Sequence, residues 1–208
     1  MGRHYEFDRE ETLTKAMEVF WQKGYKATSM KDLVDNMGIQ PGSIYNSFGD
    51  KHGLFIEAVK YYGEVITSNA IKCLNASGSP VQNIKNFFYE IICRPLDRQC
   101  QGCLVVNTVV ELAPHDDEVA EIVNDILEKI QTAFYNCLKK AVDIREVSPD
   151  TNIMALARYF ASSTHGLLVT GKSKSTQDEL QDIVDVILST LSNTTLIKKH
   201  SYLRIVDP

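Results

Sequence analysis

Residues 28–48 read TSMKDLVDNMGIQPGSIYNSF, and they are the most informative part of the N-terminal region for predicting its fold. It predicts two short helices joined by a tight turn. The first helix begins at Thr28 or Ser29, residue types that cap free backbone amides, and ends at Gly38. The second begins at Pro41, because proline suits a position where the amide hydrogen has no helical partner. It ends near Phe48, the last residue of the stretch. Helix, short turn and helix together predict a helix-turn-helix unit.

The second of these helices is predicted to have an apolar inner face and a polar outer face. Ile44 and Phe48 are four residues apart and point inward together. The outer face carries Gln40, Ser43, Tyr45, Asn46 and Ser47. Amide side chains can make paired hydrogen bonds to adenine, and the second helix of such a unit enters the major groove of DNA. Helix-turn-helix geometry also occurs in proteins that do not bind DNA, so the geometry alone leaves both readings open.

The flanking sequence completes a small helical domain. A first helix begins at Asp8, with Glu11 at capping-box spacing, and ends at Gly24. A fourth helix begins after Asp50 and runs to about residue 75. We therefore predict a three-helix DNA-binding domain over residues 1–60, with the helix at about 50–75 connecting it to the rest of the chain.

Residues 61–208 are predicted to be a helical sensing and dimerisation domain, which makes the fold class all-α. Helices are predicted over roughly 80–93 and 103–112, with later ones beginning at Asp116, near Ser148 and at Thr176. The last two carry uninterrupted apolar stripes, which indicate either a four-helix interface in a homodimer or closure of the protomer's own core. The DNA-binding prediction favours the homodimer.

The overall charge of the chain does not identify what it binds. The net charge is −5, and residues 1–60 hold 8 basic and 9 acidic residues, so total charge does not indicate a DNA-binding domain. The position of each cation matters more, and Lys51 stands where a helix N-terminus can help it hold a phosphate.

The remaining compositional features favour a cytoplasmic protein that is not an enzyme. We find no secretory signal and no membrane-spanning stretch. Five cysteines, an odd number, suit a reducing cytoplasm. No phosphate-binding loop, nucleophile elbow or zinc-protease motif is present, and no cofactor is expected.

Residues 9–58 resemble the N-terminal domain of the TetR family of repressors. The matching residues are Ala16, Phe20, Gly24, Tyr25, Ala27, Thr28, Ser29, Met30, Leu33, Gly38, Ile39, Gly42, Ser43, Ile44, Tyr45, Phe48, Lys51, Leu54 and Phe55. Met37 and His52 depart from the common pattern. The resemblance implies a homodimer that binds a palindromic operator on double-stranded DNA and represses transcription until an effector binds the C-terminal domain.

The resemblance also implies roles for individual residues. Thr28, Ser43, Tyr45 and Lys51 are expected on the phosphate side, with Ser29 offering a similar contact. Gln40, Pro41, Gly42 and Asn46 are expected near the bases.

The segment from Gln101 to Glu111 resembles a subgroup of these regulators in which a Gly-Cys-Leu sequence begins a helix. Some members of that subgroup respond to electrophiles or oxidants through cysteine. Cys103 at a helix N-terminus has its thiolate favoured by the helix dipole, and Cys100 is placed to act as a resolving thiol. We expect Lys172 or Lys174 to reach this helix and favour the thiolate further.

Three other interpretations of this half compete with the thiol sensor. Cys103 can be inert core, because cysteine is among the most buried residue types. A zinc site with His115 and Cys93 lacks a second cysteine pair, so no metal is expected. A small-molecule pocket is the third, with walls drawn from Phe87, Phe88, Tyr89, Tyr159, Phe160, Thr164 and His165, each of which can equally be ordinary core.

Overall fold

The computed structural model describes residues 8–93, 102–173 and 175–192. These residues form nine α-helices and one 3₁₀ turn, so the all-α prediction is confirmed. The helices are α1 (Arg9–Lys23), α2 (Met30–Met37), α3 (Pro41–Phe48), α4 (Lys51–Leu74), α5 (Pro80–Ile92), α6 (Leu104–Glu111), α7 (Asp117–Asp143), α8 (Ile153–Lys172) and α9 (Gln177–Ser192), with the 3₁₀ turn at Ala113–His115 between α6 and α7.

The N-terminal helices begin and end where their capping residues predict. Asp8 accepts hydrogen bonds from the first amides of α1, and Ser29 forms a reciprocal capping box with Asp32 at the start of α2. Gly38 ends α2 in the left-handed conformation, at φ 70°. Pro41 is the first residue of α3. Local side-chain chemistry therefore accounts for where these helices begin and end.

The start of α8 differs from its prediction. The sequence placed it near Ser148, whereas the helix begins at Ile153 and Asn152 is its N-cap, accepting a hydrogen bond from the Ala155 amide at 3.1 Å. Ser148 instead accepts a hydrogen bond from the Asp150 amide within the preceding turn. Ser148 and Asn152 can both cap a helix, and it is Asn152 that caps α8.

Two hydrophobic cores hold the helices together. The body core joins the C-terminal halves of α4 and α7 with α5, α8 and α9. At its centre the rings of Phe88, Phe134 and Phe160 have centroids 5.6 to 5.8 Å apart, within the range of favourable aromatic contacts. Within the described ranges, no helix combines the length and apolar character that a membrane crossing requires.

The second core, called the shared core here, crosses the predicted domain boundary. It contains the inward faces of α1, α2, α3 and the first half of α4. Residues from α6 and from the first half of α7 complete it, among them Leu104, Val105, Val119 and Val123. The helix-turn-helix unit is therefore packed directly on part of the C-terminal region.

Candidate nucleic-acid interface and sensor cavity

Helix α3 presents a polar surface to solvent. Ile44 and Phe48 are buried in the shared core, as their spacing predicts. Tyr45 leaves 51% of its surface exposed, although it is a large aromatic residue. The predicted base-side and phosphate-side residues of this helix share that surface: Gln40, Pro41, Gly42 and Asn46 are exposed and Ser43 is half-buried. The Gln40 side chain makes no capping bond to the helix, so its amide is not used there.

Thr28 and Ser29, both predicted to contact phosphate, lie in different environments. The Thr28 side chain is only 2% exposed, and its hydroxyl donates to the carbonyl oxygen of Gly24 at 2.6 Å. Ser29 is exposed, but its hydroxyl donates to Asp32 at 2.7 Å within the capping box. Thr28 therefore supports the turn between α1 and α2 from inside, and its side chain does not lie on the surface.

Lys51 is also directed toward this turn. Its ammonium group donates to the carbonyl oxygens of Tyr25, at 3.0 Å, and Thr28, at 2.9 Å. The same nitrogen lies 4.3 Å from the centroid of the Tyr25 ring, which is a cation–π distance. Two of its three donors are thus used inside the protein, and the lysine expected to hold a phosphate fastens α4 to the α1–α2 turn.

Two carboxylates from the C-terminal region contact the N-terminal helices, and neither contact was predicted from the sequence. Glu111, at the end of α6, accepts hydrogen bonds from the backbone amides of Tyr25 at 3.1 Å and Lys26 at 2.8 Å. Asp116, the N-cap of α7, lies 2.7 Å from Nε2 of His52 near the start of α4. These pairs are 64 to 86 residues apart in sequence, so only the folded chain brings them together.

Two regions of the chain match models of a known protein family. A family model described as "Bacterial regulatory proteins, tetR family" matches residues 13–58, and one described as "Tetracyclin repressor-like, C-terminal domain" matches residues 81–187. The chain belongs to the TetR family of transcriptional regulators. The predicted fold, an N-terminal helix-turn-helix unit followed by a C-terminal helical region, is therefore confirmed.

Relatives in this TetR family match nearly the whole chain. The uncharacterized HTH-type transcriptional regulator YezE of Bacillus subtilis is 38% identical over 92% of this chain and 100% of its own length. The HTH-type transcriptional repressor ComR of Escherichia coli is 26% identical over 90% of each chain. A cysteine mutant of the TetR family regulator CifR, complexed with 26bp double-strand operator DNA, is 28% identical with a TM-score of 0.81, covering 90% of this chain and 98% of CifR.

In this TetR protein a cavity of about 80 Å³ lies between the shared core and the body core. Tyr62, Ile66, Cys103, Val105, Val106, Leu127 and Leu168 line it on the side of the shared core, and Ala70, Phe87, Ile91 and Ile130 on the side of the body core. Its polar lining groups are Asn69, Glu90, Thr164 and His165. Mostly apolar walls with a few polar groups are typical of a small-molecule site, although this cavity of about 80 Å³ is smaller than the roughly 300–1,000 Å³ usual for drug-sized ligands.

The predicted sensor residues divide into those at the cavity and those elsewhere. Cys103, Phe87, Thr164 and His165 line it, and burial lowers the pKa of His165 below its usual value. Phe88 and Phe160 do not line the cavity, because their rings pack on Phe134 in the body core. Tyr159 does not line it either and is partly exposed on α8. Thr164 donates its hydroxyl to the Phe160 carbonyl, and Tyr89 packs at the edge of the body core.

The first turn of α6 combines a buried thiol with a lysine from α8. Cys103 is the N-cap of α6 and is only 6% exposed. Nζ of Lys172 lies 3.3 Å from the side-chain oxygen of Asn107, so this lysine does reach the helix. Cys100 and Lys174 lie outside the described residues. Within the described ranges no three metal-binding side chains cluster, and there Cys103 is a free thiol.

Proposed function

We propose that this TetR protein is a cytoplasmic transcriptional repressor that binds a palindromic operator as a homodimer and leaves it when a small effector occupies the cavity. The observation that carries the proposal is the outer face of α3, which is polar and exposed in a helix-turn-helix unit whose inner face is fully packed. A recognition helix needs both properties, because it must be rigid and must present donors and acceptors to base edges.

The proposed DNA contacts are those of α3 and its N-terminus. Gln40 and Asn46 supply amides for bases, and Ser43 and Tyr45 supply hydroxyls for phosphates. Pro41 and Gly42 allow close approach because neither carries a large side chain. We assign Thr28 and Lys51 to the support of the α1–α2 turn and not to direct side-chain contacts with phosphate.

The proposed dimer forms through α8 and α9. Tyr159 and Val169 on α8, with Ile183 and Val186 on α9, are exposed apolar side chains, and Val186 leaves 66% of its surface uncovered. Two copies of this helix pair would cover these side chains in a four-helix interface. Such a dimer would place two α3 helices on successive major grooves, roughly 34–36 Å apart.

The proposed effector site is the cavity, and thiol modification of Cys103 is one route to release. Cys103 lines the cavity, so a small reagent that enters it meets the thiol there. Any trigger must favour a dimer whose α3 helices no longer match the groove spacing, and its differential affinity for the two states sets the size of the effect.

Selection of duplexes from a random-sequence library with the purified full chain tests the proposal. We expect enrichment of a palindromic sequence. Analytical ultracentrifugation should show two protomers bound to each duplex, and the affinity should fall steeply as the salt concentration rises. Failure to enrich any sequence would contradict operator binding.

Modification of the thiol tests the second route to release. N-ethylmaleimide should release the selected duplex from wild type and not from Cys103→Ser. Equal release from both proteins would contradict a role for Cys103.

A further inference from the structure

We propose that Glu111 is a positioning residue for operator binding: it fixes the α1–α2 turn and thereby connects the orientation of α3 to the cavity at the other end of α6. This inference rests on the proposed function. It concerns a carboxylate that does not lie on the α3 surface, and whose role is to hold the backbone from which that surface is presented.

The contact between Glu111 and the turn is specific in its geometry. One carboxylate accepts two consecutive backbone amides, those of Tyr25 and Lys26. Hydrogen bonds to an ionised acceptor are about twice as strong as neutral ones. Gly24 makes the approach possible, because it has a positive φ of 79° and a Cβ there would lie 2.8 Å from Oε2 of Glu111. The chain thus has a glycine where the carboxylate must come close to the backbone.

The α1–α2 turn in turn sets the position of the helix-turn-helix unit. Tyr25 and Thr28 both accept from Lys51, which begins α4. The Tyr25 ring packs on Phe55 of α4 with centroids 4.8 Å apart. Helix α3 lies between this turn and α4 in the chain, and its buried face packs in the same core. A shift of the turn is therefore transmitted to α3 through backbone and packing.

A second carboxylate strengthens the connection. Asp116 and Glu111 lie on either side of the 3₁₀ turn that joins α6 to α7, so this short connection holds the DNA-binding helices at two points. Asp116 binds His52 while capping α7, and the Val119 amide, with His52, keeps the pKa of the Asp116 carboxyl below its usual value. Rotation of α6 would move Glu111 directly, and only the 3₁₀ turn separates that residue from Asp116.

The opposite end of α6 lies at the cavity. Cys103, Val105 and Val106 line it, and Lys172 from α8 binds Asn107 one turn further along the helix. Eight helical residues span about 12 Å, which is short enough for α6 to move as a rigid rod. A ligand that displaces the first turn of α6 would therefore displace Glu111 at its last turn.

The test compares Glu111→Gln with Glu121→Gln, a matched loss of charge at an exposed site on α7 that makes no hydrogen bond or ion pair within the described chain. The glutamine keeps the shape of Glu111 and can accept through only one oxygen. We expect Glu111→Gln to weaken binding to the selected duplex by about tenfold, in the range usual for couplings between sites. Binding to a scrambled duplex should be unchanged, so the ratio of specific to nonspecific affinity falls.

Backbone amide hydrogen exchange provides the second measurement. Exchange at Tyr25 and Lys26 should accelerate in Glu111→Gln and not in Glu121→Gln, while the melting temperatures of both variants show whether the fold is intact. Unchanged specificity in a folded Glu111→Gln protein would overturn the inference. If wild type itself enriches no duplex, the proposed function fails, and the amide-exchange result still decides whether Glu111 holds the turn.

Discussion

The two hydrophobic cores differ in what they join. The body core is made only of residues beyond Thr67, from α4 through α9, and its centre is a group of packed phenylalanine rings. The shared core joins the helix-turn-helix unit to α6 and to the first half of α7. The DNA-binding helices are therefore not an independent module, because residues more than forty positions beyond the predicted boundary at 60 complete their core.

The position of the cavity follows from this comparison. It lies where the two cores meet, with walls from both. A molecule bound there would contact side chains whose packing partners belong either to the DNA-binding unit or to the predicted dimerisation helices. The coupling that we propose for α6 and Glu111 depends on that position.

The largest expected effect comes from breaking the body core. Phe134→Ala should lower the free energy of unfolding by about 3–5 kcal/mol, because it removes a fully buried ring that contacts three others. Urea unfolding measures the loss, and Phe134→Leu, which keeps most of the volume, is the control with a smaller one. A loss below 1 kcal/mol for the alanine variant would show that this core is not tightly packed.

A smaller effect is expected at the turn that joins the shared core to Glu111. Gly24→Ala should cost about 1–3 kcal/mol, because alanine is strained at φ 79° and its Cβ displaces the Glu111 carboxylate. Gly171→Ala is the control: it lies in α8 with ordinary packing space and should stabilise the helix by up to about 1 kcal/mol. Thermal unfolding should show a lower melting temperature for Gly24→Ala and an unchanged or higher one for Gly171→Ala. Equal changes in the two variants would contradict a special requirement for glycine at position 24.

The smallest effect concerns the cavity wall and pH. Burial lowers the pKa of His165 in the folded state, so the unfolded state binds the proton first as pH falls. Stability contributed by the neutral imidazole is therefore present above the unfolded pKa of about 6.5 and is lost below it. We expect urea unfolding of His165→Gln to show a weaker decline between pH 7 and pH 5 than wild type; identical slopes would contradict this.

Sequence predicted the features that depend on neighbouring residues. Asp8, Ser29, Gly38 and Pro41 act locally, through amides or backbone angles within a few positions, so the N-terminal helix ends were predictable. The two faces of α3 were also predictable, because Ile44 and Phe48 have helical spacing.

Features that depend on tertiary contacts were missed or assigned differently. Lys51 has the residue type expected of a phosphate ligand, but its position beneath the α1–α2 turn gives it two carbonyl partners. Glu111 is an unremarkable acidic residue at a helix end until the fold brings it 3.1 Å from the amide of Tyr25. Phe88 and Phe160 could not be distinguished by type from Phe87, which alone of the three lines the cavity.

The affinity of Asn46→Ala for the duplex selected by wild type tests whether the outer face of α3 contacts specific bases. The control is Asn124→Ala, an exposed asparagine on α7. We predict that Asn46→Ala loses about 1–3 kcal/mol of binding free energy for that duplex and almost none for a scrambled one, as expected when a base contact is removed. Equal affinities of the two variants for the selected duplex would contradict the claim.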